Sequence, residues 1–155
     1  MDSDITLNKI PWLEKCSSFG TSHDELKEIF ILFIRSHLEQ SAVVWHSSLT
    51  EQNRNDLERV QKSALKVILG EKYQSYNKAL RELNLETLEE RRKSLCLKFA
   101  KKCLTNEKNQ QMFPLSKKIH SMETRKPEDF EVQYAKTDRL KNCAKIYMQN
   151  LLNGG

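Results

Sequence analysis

Apolar residues recur at helical spacing along most of the chain, and the clearest stretch runs from Thr50 to Leu104. Leu57, Val60, Ala64, Val67 and Ile68 fall on one face of a helix, with Arg54, Arg59, Lys62 and Lys66 turned away from it. Thr50 predicts the start, because its hydroxyl can accept a bond from a free amide of the first turn. Gly70 predicts the end, where a left-handed backbone costs glycine little. A second long helix opens at Thr87, with Glu90 three residues on completing a capping box. Its apolar face is Leu88, Leu95, Cys96, Phe99, Ala100 and Cys103. Between the two, Ser75 can cap a short helix carrying Tyr76, Ala79, Leu80 and Leu83, which Asn84 ends.

Upstream, Ser22 and Glu25 repeat the capping-box spacing. From Ile29 to Ile34 every face is apolar, which predicts a helix buried on several sides and central to the fold. Arg35 and Glu39 are spaced to pair one turn apart. The pattern leaves open whether this helix continues to Trp45 or breaks near Gln40. Residues 1–20 hold a shorter helix, with Pro11 in its first turn, Gly20 as its stop, and Trp12, Leu13 and Phe19 as packing candidates. Beyond Leu104 periodicity fades, and 105–137 reads as an extended segment pinned by Phe113, Phe130 and Tyr134. A last helix, about Asp138 to Leu152, places Leu140, Ala144, Tyr147, Met148 and Leu151 at helical spacing. The expected fold is an all-α helical bundle of about four to six helices. Its parts are a lead-in (1–20), the main bundle (21–104), an extended linker (105–137) and a terminal helix (138–153) packing back on the bundle.

Composition agrees with this and narrows it. Only 4 Gly and 3 Pro in 155 residues favour helices over a turn-rich β fold. That length suits one domain, able to bury roughly 68–70% of the surface its unfolded form exposes. The four cysteines form no CxxC pair, and Cys96 and Cys103 lie roughly 10 Å apart along one helix, too far to bridge. They read as reduced thiols packing like small hydrophobes. The acidic start leads into no apolar run, so a secretory signal is not expected. No stretch approaches the roughly 20 apolar residues of a membrane span. The expected location is intracellular, in nucleus or cytoplasm, with no membrane partner.

Catalytic signatures are absent from the pattern. His23, His37, His46 and His120 include no pair at the spacing that lets a helix chelate a metal, so no metal or cofactor is expected. His46, beside Trp45 and without a nucleophile motif, reads as a packed or capping histidine. There is no Gly-rich phosphate loop and no nucleophile elbow. What stands out is charge. The net is +5, and from Arg91 to Leu104 six Lys or Arg occur without one acid. Arg91, Lys98, Lys101 and Lys102 fall on nearly one face, which suits a phosphate backbone, although such faces are often merely solvated. Arg59, Lys62 and Lys66 on the preceding long helix are secondary candidates.

The residues also resemble a known family. Phe33-Ile34-Arg35-Ser36-His37-Leu38-Glu39, then Val44-Trp45-His46, Leu49-Thr50 and Leu57-Glu58-Arg59-Val60-Gln61-Lys62 form one block. Leu88-Glu89-Glu90-Arg91-Arg92, Met112-Phe113-Pro114, Thr137-Asp138-Arg139-Leu140 and Tyr147-Met148-Gln149-Asn150-Leu151-Leu152-Asn153 extend it in the same register. Together they resemble the thumb and post-polymerase region of reverse transcriptases from non-LTR, LINE-type (jockey- and RTE-like) retrotransposons, over most of 20–153. Ser36 stands where the family often has proline, and Asn142-Cys143-Ala144 replaces a proline before the last helix, which leaves the start of that helix open.

The resemblance implies a thumb without fingers or palm. The family's metal-binding aspartates, in a Tyr-x-Asp-Asp motif and one further Asp, match no position here, so this chain is expected not to be an enzyme by itself. It implies sequence-nonspecific binding of RNA or RNA–DNA hybrid by Arg91, Lys98, Lys101 and Lys102, with Arg59, Lys62 and Lys66 assisting, and the fingers–palm region as a protein partner. The alternative is a helical protein-interaction module or an inactive retroelement remnant.

Overall fold

The computed structural model describes residues 10–115 and 130–154, which are all-α, with no sheet among them and one isolated bridge between Leu115 and Phe130. Helix α1 is Ile10–Ser18. Helix α2 has three consecutive parts, an α-helical His23–Ile29, a π-helical Phe30–Arg35 and an α-helical Ser36–Glu39. Then come α3 (Ala42–Trp45) with a 3-10 turn His46–Ser48, and α4 (Glu51–Leu69) with a 3-10 turn Gly70–Lys72. Helices α5 (Tyr76–Glu82), α6 (Leu88–Leu104), α7 (Glu107–Gln110), α8 (Asp138–Lys141) and α9 (Ala144–Leu152) complete the set. These nine exceed the four to six expected because α3 and α7 are four-residue helices and the terminal helix is divided at Asn142 and Cys143.

Local chemistry sets most helix starts. Ser22 and Glu25 form the expected capping box, as do Thr87 and Glu90. The hydroxyls of Thr50 and Ser75 accept bonds from the amides of Asn53 and Lys78. Gly70 closes α4 at φ +52, and Asn84 ends the α5 turn at φ +51. The open question after Glu39 resolves as a break: Ser41 takes φ +54 and α3 starts afresh.

Two compact units result. The first holds the described part of Met1–Ser41 together with Leu49–Arg91, and the second holds Ala42–Ser48 and the described part of Arg92–Gly155. The core of the first unit joins Leu13 of α1, the α2 stripe Leu26, Phe30, Ile34 and Leu38, and Val60, Ala64, Leu65 and Ile68 of α4. The second core packs Cys96, Ala100 and Cys103 of α6 against Phe113 and against Met148 of α9, with Val43 and Phe130 beside them. Asn153 holds Phe130 at two points: its Oδ1 accepts from the Phe130 amide at 2.8 Å and its Nδ2 donates to the Phe130 carbonyl at 3.0 Å.

Several burial expectations fail, each for a packing reason. The Ile29–Ile34 stretch is not covered on all sides: Phe30 and Ile34 are fully buried, whereas Leu32 is 64% and Phe33 55% exposed. An α-helical ladder of every fourth residue drifts about 40° per step. The wider π turn, with its i→i+5 bonding, slows that drift and keeps Leu26, Phe30, Ile34 and Leu38 on one stripe. Leu32 and Phe33 are then turned outward. Of the α1 candidates only Leu13 is buried, with Trp12 and Phe19 exposed. Phe113 is buried and Phe130 half-buried, but Tyr134 is exposed. Residues 116–129 of the expected extended segment, and 1–9 of the lead-in, lie outside the described residues, as does His120.

The π stripe makes a direct prediction. Phe30→Ala should cost about 3–5 kcal/mol of stability by urea denaturation, and Leu32→Ala should stay within about 0.5 kcal/mol. Equal losses at the two positions would show that the stripe is misplaced.

Candidate nucleic-acid interface

The basic candidates divide by what their side chains meet. Lys98, Lys101 and Lys102 are all exposed on α6. Viewed down the helix, Lys101 lies about 60° to one side of Lys98 and Lys102 about 40° to the other. None of the three pairs with a carboxylate among the described residues. Phe99, expected on the buried face, is instead 41% exposed next to them.

Arg91 is differently placed. Its Nε lies 3.1 Å from Glu39 Oε1, the same oxygen that Arg35 Nε approaches at 3.5 Å. The Arg35–Glu39 pair was expected from its spacing, and the Arg91 contact was not. Burial lowers the Arg35 pKa from its ordinary value, Glu39 opposes that shift and the charge of Arg91 adds to it. One carboxylate is thus shared by two guanidinium groups within the first unit, leaving the trio with one net positive charge.

On α4, Arg59, Lys62 and Lys66 are exposed along one side. Arg59 pairs with Asp56 at 3.4 Å, and Lys66 Nζ sits 5.8 Å from the centre of the Tyr73 ring, a cation–π distance. Lys62 meets no carboxylate among the described residues.

Arg92 is the residue that sequence reasoning misplaced. It was counted in the basic run, yet it is fully buried in the second unit. Its guanidinium stands 5.9 Å from the Trp45 ring centre, and its Nε donates to His46 Nδ1 at 3.4 Å. An accepting Nδ1 puts the proton of neutral His46 on Nε2, which lies 3.2 Å from the Tyr147 hydroxyl. The His46 and Tyr147 rings also meet edge to face at 5.4 Å. His46 is therefore a packed, hydrogen-bonded histidine, as its sequence context suggested. One signal could have exposed Arg92: it falls on the ladder Leu88, Arg92, Cys96, Ala100, whose other three members are apolar and buried.

Burial pushes the Cys96 thiol up to about 11, partly offset by Arg92, so it remains a neutral thiol rather than a nucleophile. Among the described residues no three His, Cys, Asp or Glu side chains gather as metal ligands do. No helix among them is long and apolar enough to cross a membrane. No family model matches the chain, and neither a curated protein nor a solved structure matches it.

The shared carboxylate can be tested. Glu39→Gln leaves two cations facing each other and should lower stability by roughly 2 kcal/mol, under the roughly 3–5 typical of breaking a fully buried pair because Arg91 keeps part of its side chain in water. Adding Arg91→Gln should return part of that loss in a urea melt. A double variant no better than Glu39→Gln alone would rule out the shared-carboxylate account.

Proposed function

We propose that this chain is the non-catalytic thumb and C-terminal part of a LINE-type retroelement reverse transcriptase, and that it holds RNA or an RNA–DNA hybrid by the phosphate backbone. The observation that carries the binding half is the set Lys98, Lys101 and Lys102, exposed on one side of α6 and without a carboxylate partner among the described residues. Lysines on a rigid helix act as point charges that need no particular base, so the reading is sequence-nonspecific. Arg91 contributes less than the sequence suggested, since its guanidinium is held against Glu39, which it shares with Arg35. Arg59, Lys62 and Lys66 offer a second cationic stretch on α4. The retroelement origin rests on the block of residues set out above.

Fluorescence anisotropy on an RNA–DNA hybrid tests the reading. Binding should be tighter than about 10⁻⁴ M at physiological salt. Replacing Lys98, Lys101 and Lys102 together by Gln should weaken it and flatten the log–log salt slope by about 2–3 units, at roughly 0.9 per phosphate contact. Weaker binding than that limit, or a slope unchanged in the triple variant, would remove the assignment.

A second reading, a helical protein-interaction module, has its own observation. Trp12 of α1 and Phe33 of α2 meet edge to face at 5.9 Å while each stays about half exposed, with Leu32 exposed on the same helix as Phe33. On this reading sedimentation velocity shows concentration-dependent association that Leu32→Glu with Phe33→Glu abolishes. A monomer at every concentration counts against it.

A further inference from the structure

The first unit carries a concave basic site that the α6 lysines do not account for. A cleft of about 300 Å³ lies where α4 ends and α5 begins, lined by Leu69, Lys72, Gln74, Lys78, Arg81 and Glu82, with Ala79 behind. Leu69 and Ala79, which also line it, belong to the core of the first unit. Its position follows from local sequence: Gly70 turns the chain out of α4, Lys72 sits in the 3-10 turn, and the Ser75 cap starts the helix that carries Lys78 and Arg81.

Charge in the cleft is out of balance. Three cations line it against one carboxylate. Lys78 and Glu82 have the spacing of a helical ion pair, yet Lys78 Nζ donates instead to Gln74 Oε1 at 2.6 Å. Lys72, Arg81 and Glu82 form no ion pair among the described residues. Lys78 and Arg81 are like charges three apart on one helix, an arrangement that costs stability until an anion comes between them. A concave wall of one sign also concentrates its field.

We propose that this cleft binds a run of phosphate groups. A single carboxylate would leave most of the charge uncompensated, whereas linked phosphates supply several negative charges at short spacing. The planar fork of Arg81 suits two oxygens of one phosphate, and Lys72 and Lys78 act as point charges on its neighbours. Among the described residues no aromatic side chain lines the cleft, so none offers a base a surface to stack on and the ligand is recognised by its phosphates. Those phosphates can belong to a nucleic-acid strand or to a free polyphosphate. The inference stands apart from the α6 assignment, because it uses none of the same residues.

Isothermal titration calorimetry of the full chain with inorganic tripolyphosphate, and separately with a single-stranded oligonucleotide lacking a terminal phosphate, tests it. Tripolyphosphate should bind the native chain, and Lys78→Gln with Arg81→Gln should weaken that binding about tenfold or more, two charge-assisted contacts being lost. Lys72→Gln alone should weaken it severalfold and guards against a folding defect in the double variant. Made in a chain that already carries Gln at Lys98, Lys101 and Lys102, the double variant should show the same loss of tripolyphosphate binding, which separates failure of this site from failure of the α6 face. If the double variant also loses oligonucleotide affinity, the source is a strand; if it loses only tripolyphosphate, the source is a free polyphosphate. No tripolyphosphate binding by the native chain, or binding indifferent to both cleft variants, overturns the proposal.

Discussion

The first unit depends on one narrow constraint: α2 must keep Leu26, Phe30, Ile34 and Leu38 on a single line. Four apolar residues at four-residue intervals do not stay aligned on an ideal α-helix, and a drift of about 40° at each step would carry the last of them well round the helix. The π-helical stretch Phe30–Arg35 absorbs much of that drift. The same stretch determines what is left outside. Leu32 and Phe33 are as apolar as their neighbours, and they are exposed because the line, rather than hydrophobicity, decides which residues face α4.

Electrostatics follows from that geometry. Because α2 ends at Glu39 with its last turn against the first unit's core, its carboxylate is half-buried and available to Arg35 from below and Arg91 from α6. A half-buried carboxylate between two guanidinium groups is a structural element, since each group keeps the others from being buried unpaired. Lys98, Lys101 and Lys102 lie further along α6, outside reach of any carboxylate among the described residues. Basic residues of one helix therefore fall into two classes. Arg91, held by Glu39, and Arg92, buried against Trp45 and His46, belong to the fold, and Lys98, Lys101 and Lys102 stay exposed.

How much of this was legible follows the range of each interaction. Caps were legible at Ser22, Thr50, Ser75 and Thr87 because donor and acceptor lie within three residues of each other. The Arg35–Glu39 pair and the Gly70 stop are local in the same sense. Arg91 was not legible as a structural residue, because its partner stands 52 positions away. Nor was the burial of Arg92, whose surroundings come from Trp45, His46 and Tyr147, or the exposure of Trp12, Phe19 and Phe99. Periodicity finds a helix face, but only the partners of that face decide which members of it are covered. For the candidate site, the exposure of three lysines could be read from their spacing, and the cleft at Lys72, Lys78 and Arg81 could not. It exists only because two turns of chain fold the end of α4 beside α5.

Buried polar groups carry the remaining specification. Gln61 is fully buried in the middle of α4, and its Nε2 donates to the Tyr76 hydroxyl at 3.0 Å and to the Glu86 carbonyl at 2.9 Å. The Tyr76 hydroxyl donates in turn to Glu58, whose other oxygen accepts from the Glu89 amide at 2.8 Å. Burial first, and Glu58 second, raise the Tyr76 pKa, so the hydroxyl stays protonated and keeps donating. An apolar residue in place of Gln61 would fill the space but remove the donor that both the Tyr76 hydroxyl and the Glu86 carbonyl accept from. The Glu58–Glu89 bond fixes one amide of the first turn of α6, beside the Thr87–Glu90 capping box that starts the helix.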